Sequence, residues 1–169
     1  MDFHKEDLDA AIRLGAGDWP NCNCYVLSDN VLAPVCSPAL PDLGPGLNGP
    51  EDVADYTMLH SIARPDDWAH WLQAAGVGNK VDARAGMTYQ SSSMAYAAAS
   101  GGQGIAIAQL FLVEKELREG TLVRPFPQTV DMGAYTYYLL TPRHRAETED
   151  MAIFRQWLLE QARQTRQGA

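Results

Sequence analysis

Residues 85–113 carry no charged side chain, and no other part of the sequence constrains the fold as strongly. The stretch is longer than the roughly 20 residues needed to cross a bilayer. Its polar load argues against a membrane segment, because Gln90, the Ser91–Ser93 run, Gln103 and Gln109 all lie within it. A buried helix, a glycine turn and a buried strand fit these residues better. Ser91 or Ser92 can cap a helix running through Met94, Ala98 and Ala99 to Gly101 and Gly102. Residues 105–108 then form a short buried strand.

Strands and helices alternate on both sides of this stretch. Residues 10–14 read as a strand stopped at Gly15, and residues 15–24 as loop by composition. Residues 25–27 and 31–36 are apolar and β-branched, which predicts two strands with Ser28, Asp29 and Asn30 turning between them. A proline- and glycine-rich connection, residues 37–50, follows. Pro50 opens a short helix with Glu51 and Asp52 in its first turn, and residues 56–60 suit a strand. After Pro65, Asp66 and Asp67, helical spacing relates Trp68, Trp71, Leu72 and Ala75 as far as Gly76.

Residues 85–89 suit a strand, 111–118 a helix ending before Gly120, 122–126 a strand, and 134–141 an aromatic strand ended by Pro142. Thr148 caps a last helix, with Met151, Phe154, Leu158 and Ala162 on one face and Ile153 and Trp157 alongside. Arg163 and Arg166 sit at its C-terminal end, where cations are favoured. The alternation predicts an α/β class with a mainly parallel sheet.

At 169 residues the chain makes one domain, or one domain of two small lobes. Hydrophobic residues at 46% and charged residues at 20% describe a globular chain. A formal net charge of −8 removes the simplest electrostatic reason to bind nucleic acid. Three cysteines favour a reducing compartment, and residues 1–10 lack the apolar core of a signal peptide. Cys22 and Cys24 resemble half a zinc knuckle, but Cys36, His4 and His60 do not complete one, so no metal is expected. Nucleophile-elbow, zincin and P-loop motifs are absent, and Gly15-x-Gly17 and Gly102-x-Gly104 each lack a third glycine. Asp66 and Asp67 at a helix start read as capping residues rather than paired catalytic acids. His4, His60, His70 and His144 are scattered. These readings predict neither an enzyme nor a cofactor. Gln90-Ser91-Ser92-Ser93 before an alanine-rich helix stands apart. It fits a small anion or carboxylate site, built from orphan N–H groups and hydroxyls, or a redundant N-cap.

The segments AAIRLGAGDWP, VLAPVCSPAL, DVADYTMLH, RPDDWAHWLQAAGV, SSSMAYAAASGGQGIAIA, GTLVRPF and FRQWLLEQ follow one another at close spacing. In that order they resemble the effector-binding domain of LysR-type transcriptional regulators. The subgroup most similar is the one that includes the glycine-cleavage activator and the β-lactamase regulator. The resemblance runs from residue 2 to residue 162 and implies a periplasmic-binding-protein-like α/β fold of two small lobes joined by two crossing strands. The crossing strands would be residues 31–37 and 135–141. Lobe one would comprise residues 1–33 and 141–169, and lobe two residues 34–140. The family's N-terminal helix-turn-helix, linker helix and first strand–helix–strand–helix run have no counterpart here. The first lobe is therefore expected to be truncated, and DNA to be bound only through a helix-turn-helix outside these residues.

The resemblance further implies a cytoplasmic sensor of a small polar or anionic effector, acting as a homo-oligomer without membrane contact. Ser91 and Ser92 at the helix N-terminus and Tyr135 on a crossing strand are the implied effector-binding residues. Arg64 and Arg13 are weaker candidates, each open to the alternative of a structural ion pair. An alternative function is a stand-alone solute-binding or dominant-negative interaction module.

Overall fold

The computed structural model describes residue 3 and residues 8–167, with side chains as far as residue 164. His4 and the Arg166 side chain lie outside the described residues. Along the chain run β1 (Ala11–Gly15), β2 (Cys22–Val26), β3 (Val31–Val35), β4 (Met58–Ser61), α1 (Asp67–Ala74), β5 (Met87–Tyr89), α2 (Ser92–Ser100), β6 (Ile105–Gln109), α3 (Glu114–Glu119), β7 (Val130–Asp131), β8 (Thr136–Pro142) and α4 (Glu149–Gln167). Short 3-10 helices cover Pro50–Asp55 and Leu110–Leu112. The chain forms two compact units, residues 1–30 with 132–169, and residues 31–131.

Unit one holds a three-stranded sheet in the order β1-β8-β2, antiparallel at both pairings. Cys22, Tyr138 and Leu140 are buried together, with Phe3, Trp19 and Cys24 packed against them. Trp19 meets Tyr138 edge-on at 5.6 Å between ring centres. β2 begins at Cys22, inside a segment that composition assigns to loop. The pleat turns Cys22 and Cys24 to the same face, where both join this core as small apolar side chains. On α4, Thr148 Oγ1 accepts the Met151 N–H at 3.2 Å, as a cap should. Arg155 donates to both Glu147 oxygens (2.9 and 3.0 Å) and stands 5.1 Å over the Tyr25 ring. Ile153, Phe154 and Trp157 on the same helix are exposed.

Unit two holds a five-stranded sheet in the order β5-β4-β6-β3-β7. β4 runs parallel to β5 and β6, whereas β3 is antiparallel to β6 and β7. The expectation of a mainly parallel sheet is thus corrected. Helix crossovers enforce parallel pairing only for the β4-α1-β5-α2-β6 run. β3, β7 and the unit-one strands reach their partners through long connections that impose no such direction.

The charge-free stretch becomes β5, α2 and β6. Ala95, Ala98, Ala99, Ala106 and Ala108 pack with Val35, Leu59, Tyr96, Val113 and Leu122 in one core. The alanines let the helix lie close on the sheet. Trp68 and Trp71 are fully buried, crossing edge-on at 6.0 Å. Their indole N–H groups donate to Leu59 O (3.2 Å) and Gln128 O (3.0 Å), so neither ring is a surface contact. The helix over 111–118 is split by the 3-10 turn before α3, and Gly120 ends it with φ +73°.

Residues 122–126 form no strand. They contribute one bridge, Cys36 to Val123, and Pro125 withholds the donor a ladder needs. Nor do Ser28–Asn30 turn a hairpin, since β2 and β3 belong to different sheets. The chain passes between units after Asn30 and after Asp131, rather than near residues 33 and 140. β8 pairs with β1 and β2 along its length, which keeps residues 136–142 in unit one.

Candidate functional site

β4 sits between its two parallel neighbours, and the chain leaves it first toward β5 and then returns to β6 on the opposite side. Such a reversal of strand order opens a crevice beyond the strands' carboxyl ends, the usual ligand position in α/β sheets. At that end of β4 stands Ser61. A small niche there is lined by Ser61, Arg64, Asp67, Ser92 and Tyr96 over Leu59, Trp68 and Ile107. Its free space, about 10 Å³, holds roughly one water molecule.

α2 points its N-terminus at this niche. Ser91 has extended backbone (φ −144°, ψ 157°) and its Oγ accepts the Met94 N–H at 3.3 Å, so Ser91 is the N-cap. Its hydroxyl also lies 3.0 Å from that of Ser93. Ser92 hydrogen-bonds the Tyr96 hydroxyl, which in turn accepts the Gln109 N–H at 3.3 Å. Burial raises the Tyr96 pKa, with these hydrogen bonds opposing the shift. The backbone N–H groups of Ser92 and Ser93 open the helix, where geometry provides no intrahelical acceptor.

Arg64 is held in a buried two-point ion pair with Asp67, donating from Nε to Oδ2 and from Nη2 to Oδ1, the latter at 3.0 Å. Burial lifts the Asp67 carboxyl above the usual range, and Arg64 pulls in the opposite direction. The expectation that Asp66 and Asp67 cap α1 is corrected. Asp66 has helical backbone and makes no cap bond, leaving Asp67 free to anchor Arg64. Arg64 therefore brings a neutralised pair to the niche. His60 lies beside it, its Nε2 2.7 Å from Ala85 O.

Of the sequence-derived candidates, the structure brings Ser92 and Arg64 together in this niche, with Ser91 capping the same helix. Tyr135 and Arg13 belong to unit one. Tyr135 precedes β8, half-exposed, its carbonyl accepting from Asn30 Nδ2 at 2.7 Å. Arg13 is exposed on β1 opposite Tyr138. Sequence reasoning missed Ser61, Tyr96 and the role of Asp67. A serine closing an apolar strand just before Arg64 was the one available signal.

Unit one has a larger cavity, about 390 Å³, lined among others by Asn23, Tyr25, Arg143, Arg145 and Glu147. Its cations are engaged, Arg145 by Asp9 at 2.6 Å and Arg143 by Asn23 at 3.2 Å. Burial raises the Cys22 pKa and pushes the Cys36 thiol up to about 11, so both stay protonated at neutral pH. Among the described residues no group of three His, Cys, Asp or Glu could hold a metal, and no helix is long and apolar enough to cross a membrane.

A serine-capped helix end therefore stands at the switch point of the unit-two sheet. Comparison with known proteins names the family. The model of the LysR substrate binding domain matches residues 2–163, and the chain belongs to that family. It is 36% identical to the glycine cleavage system transcriptional activator of Escherichia coli K12, over 93% of this chain and 50% of that protein. It is 36% identical to the HTH-type transcriptional activator AmpR of Enterobacter cloacae, over 95% of this chain and 53% of that one. The chain thus spans about half the length of these curated relatives, both of them transcriptional activators. The solved effector domain of AmpR from Pseudomonas aeruginosa superposes with a TM-score of 0.82 at 33% identity, covering 99% of this chain and 78% of that one. The fold is accordingly the periplasmic-binding-protein-like fold of LysR effector domains.

Proposed function

We propose that this chain is the ligand-sensing part of a bacterial LysR-type transcriptional regulator. It takes a small polar or anionic effector at the N-terminus of α2 and passes the bound state to a DNA-binding region outside these residues. The observation that carries the reading is the placement of the Ser91–Ser93 turn at the switch point of the unit-two sheet, in a chain matched by the LysR substrate-binding model. Orphan N–H groups and the helix dipole stabilise negative charge there without a full cation. Such a ligand controls transcription only through unequal affinity for two conformations.

Ser91 and Ser92 are the primary contacts. Tyr135 and Arg13 are proposed as unit-one contributors on the family resemblance, and Arg64 as a residue that shapes the niche with Asp67. The protein would work in the cytoplasm as a homo-oligomer. The exposed Ile153, Phe154 and Trp157 of α4 support association through unit one.

Thermal-shift screening of amino acids, aromatic acids and cell-wall fragments, followed by calorimetry, tests the reading. Ser92→Ala should weaken the best binder about tenfold or more, the range for a lost hydrogen bond to a charged group. Because Ser91 supplies the cap, the melting temperature should fall only by what the lost hydrogen bond to Tyr96 is worth, about 1 kcal/mol or roughly 2–4 °C. A falling melting temperature with unchanged affinity would assign Ser92 a structural role instead.

A further inference from the structure

We infer that Ser61 is an effector-binding residue, and that it admits one compact oxygen acceptor from the effector rather than a ring or a branched group. The inference rests on the sensing reading above and extends it to a residue outside the α2 turn. Ser61 is 7% exposed, and its Oγ is fully shielded with no hydrogen-bond partner in the protein. A buried hydroxyl without a partner carries the desolvation penalty of a lost hydrogen bond, so native cores rarely keep one. An alanine would end β4 equally well, since the Ser61 contribution to the fold is backbone pairing with Tyr89 and a carbonyl that accepts the Arg64 N–H at 3.0 Å.

The neighbouring polar groups already have partners. Ser91 caps α2, Ser92 and Tyr96 bond each other, and Asp67 uses both oxygens on Arg64. None of them turns to Ser61. Ser61 is one of the residues lining the niche, as is Ser92, and that niche holds roughly one water-sized atom. Whatever satisfies Ser61 is therefore one oxygen deep. Asp67 is neutralised by its ion pair, so the remaining field at the niche is the positive end of α2, which favours an acceptor carrying negative charge.

The test compares wild type, Ser61→Ala and Ser92→Ala against a panel of proteinogenic amino acids and benzoate-type aromatic acids. The strongest binder to wild type is titrated by calorimetry against all three. Ser61→Ala is expected to melt at or above the wild-type temperature without ligand and to bind about tenfold more weakly, a loss of about 1.4 kcal/mol. Unchanged affinity in Ser61→Ala, with Ser92→Ala impaired, overturns this inference and leaves the sensing reading standing. A ligand-free melting temperature several degrees lower with unchanged affinity also overturns it, by showing a structural hydroxyl. If wild type binds nothing in the panel, or neither variant loses affinity, the sensing reading fails and this inference fails with it.

Discussion

Gly86→Ala should be among the most damaging single-methyl additions in unit two. Gly86 has φ +111°, and a Cβ built on it falls 2.0 Å from the Met58 carbonyl oxygen and 2.8 Å from its carbon. Non-glycine residues in such sparsely populated regions cost of order 1–3 kcal/mol. The clash is with backbone, so no rotamer change relieves it. β4 and β5 must separate at the start of their pairing, where Leu59, His60 and Ser61 face Met87, Thr88 and Tyr89. Losing one or two of those hydrogen bonds adds about 1–2 kcal/mol. The sum is roughly 2–5 kcal/mol, a fall of roughly 4–20 °C in melting temperature for a chain of this size.

Gly102→Ala is the matched control. Gly102 also has positive φ, +75°, but nothing lies within 4 Å of its added Cβ. It should lose only the backbone term, about 1 kcal/mol. Both variants can be compared by calorimetric melting and urea titration. If Gly86→Ala melts within 2–3 °C of Gly102→Ala, a shift worth only about 1 kcal/mol, the close approach of residue 86 to β4 does not govern stability and the reasoning is refuted.

Three further outcomes are expected. Burial raises the Asp67 pKa above its ordinary 3.8 despite the opposing pull of Arg64. The folded state then keeps this proton to higher pH than the unfolded chain, so its contribution to stability falls as pH rises through the window just above 3.8. The difference in unfolding free energy between wild type and Asp67→Asn should shrink as pH rises above 3.8, and a growing difference in urea titrations would show that the ion pair dominates. Trp71→Ala should cost about 3–5 kcal/mol in urea, since it empties a fully buried site and removes the donor to Gln128 O. Trp157→Lys should leave the melting temperature nearly unchanged while shifting light scattering toward a smaller species, and an unaltered mass would exclude α4 from the association surface.

Much of the local structure could be read from the sequence because its signals are short-range. The serine run, the alanines and Gly101 mark α2, the spacing of Trp68, Trp71 and Leu72 marks α1, and Thr148 marks the start of α4. What stayed hidden depends on partners distant in the chain. Cys22 and Cys24 become strand because β8, more than a hundred residues later, supplies their pairing. The antiparallel placement of β3 and the unit boundaries at residues 30 and 131 follow from similarly long connections. In the candidate site, the helix-end serines were legible as a capped turn. Ser61 was not, because its significance lies in the partner it lacks, and no spacing rule records that. The Arg64–Asp67 pair was obscured by a capping preference that the helical backbone of Asp66 overrides.

Amide chemical shifts followed by ¹⁵N-resolved NMR during effector titration test the central claim most directly. The Ser92 and Ser93 N–H groups are the proposed anion donors, and Ser61 lies in the same niche. With the strongest small-molecule binder, the account expects the largest saturable shifts at Ser92 and Ser93, with accompanying shifts at residues 60–64. Saturable shifts centred instead on Asn23, Tyr25 and Thr141, around the larger unit-one cavity, with the α2 turn unmoved, would contradict it.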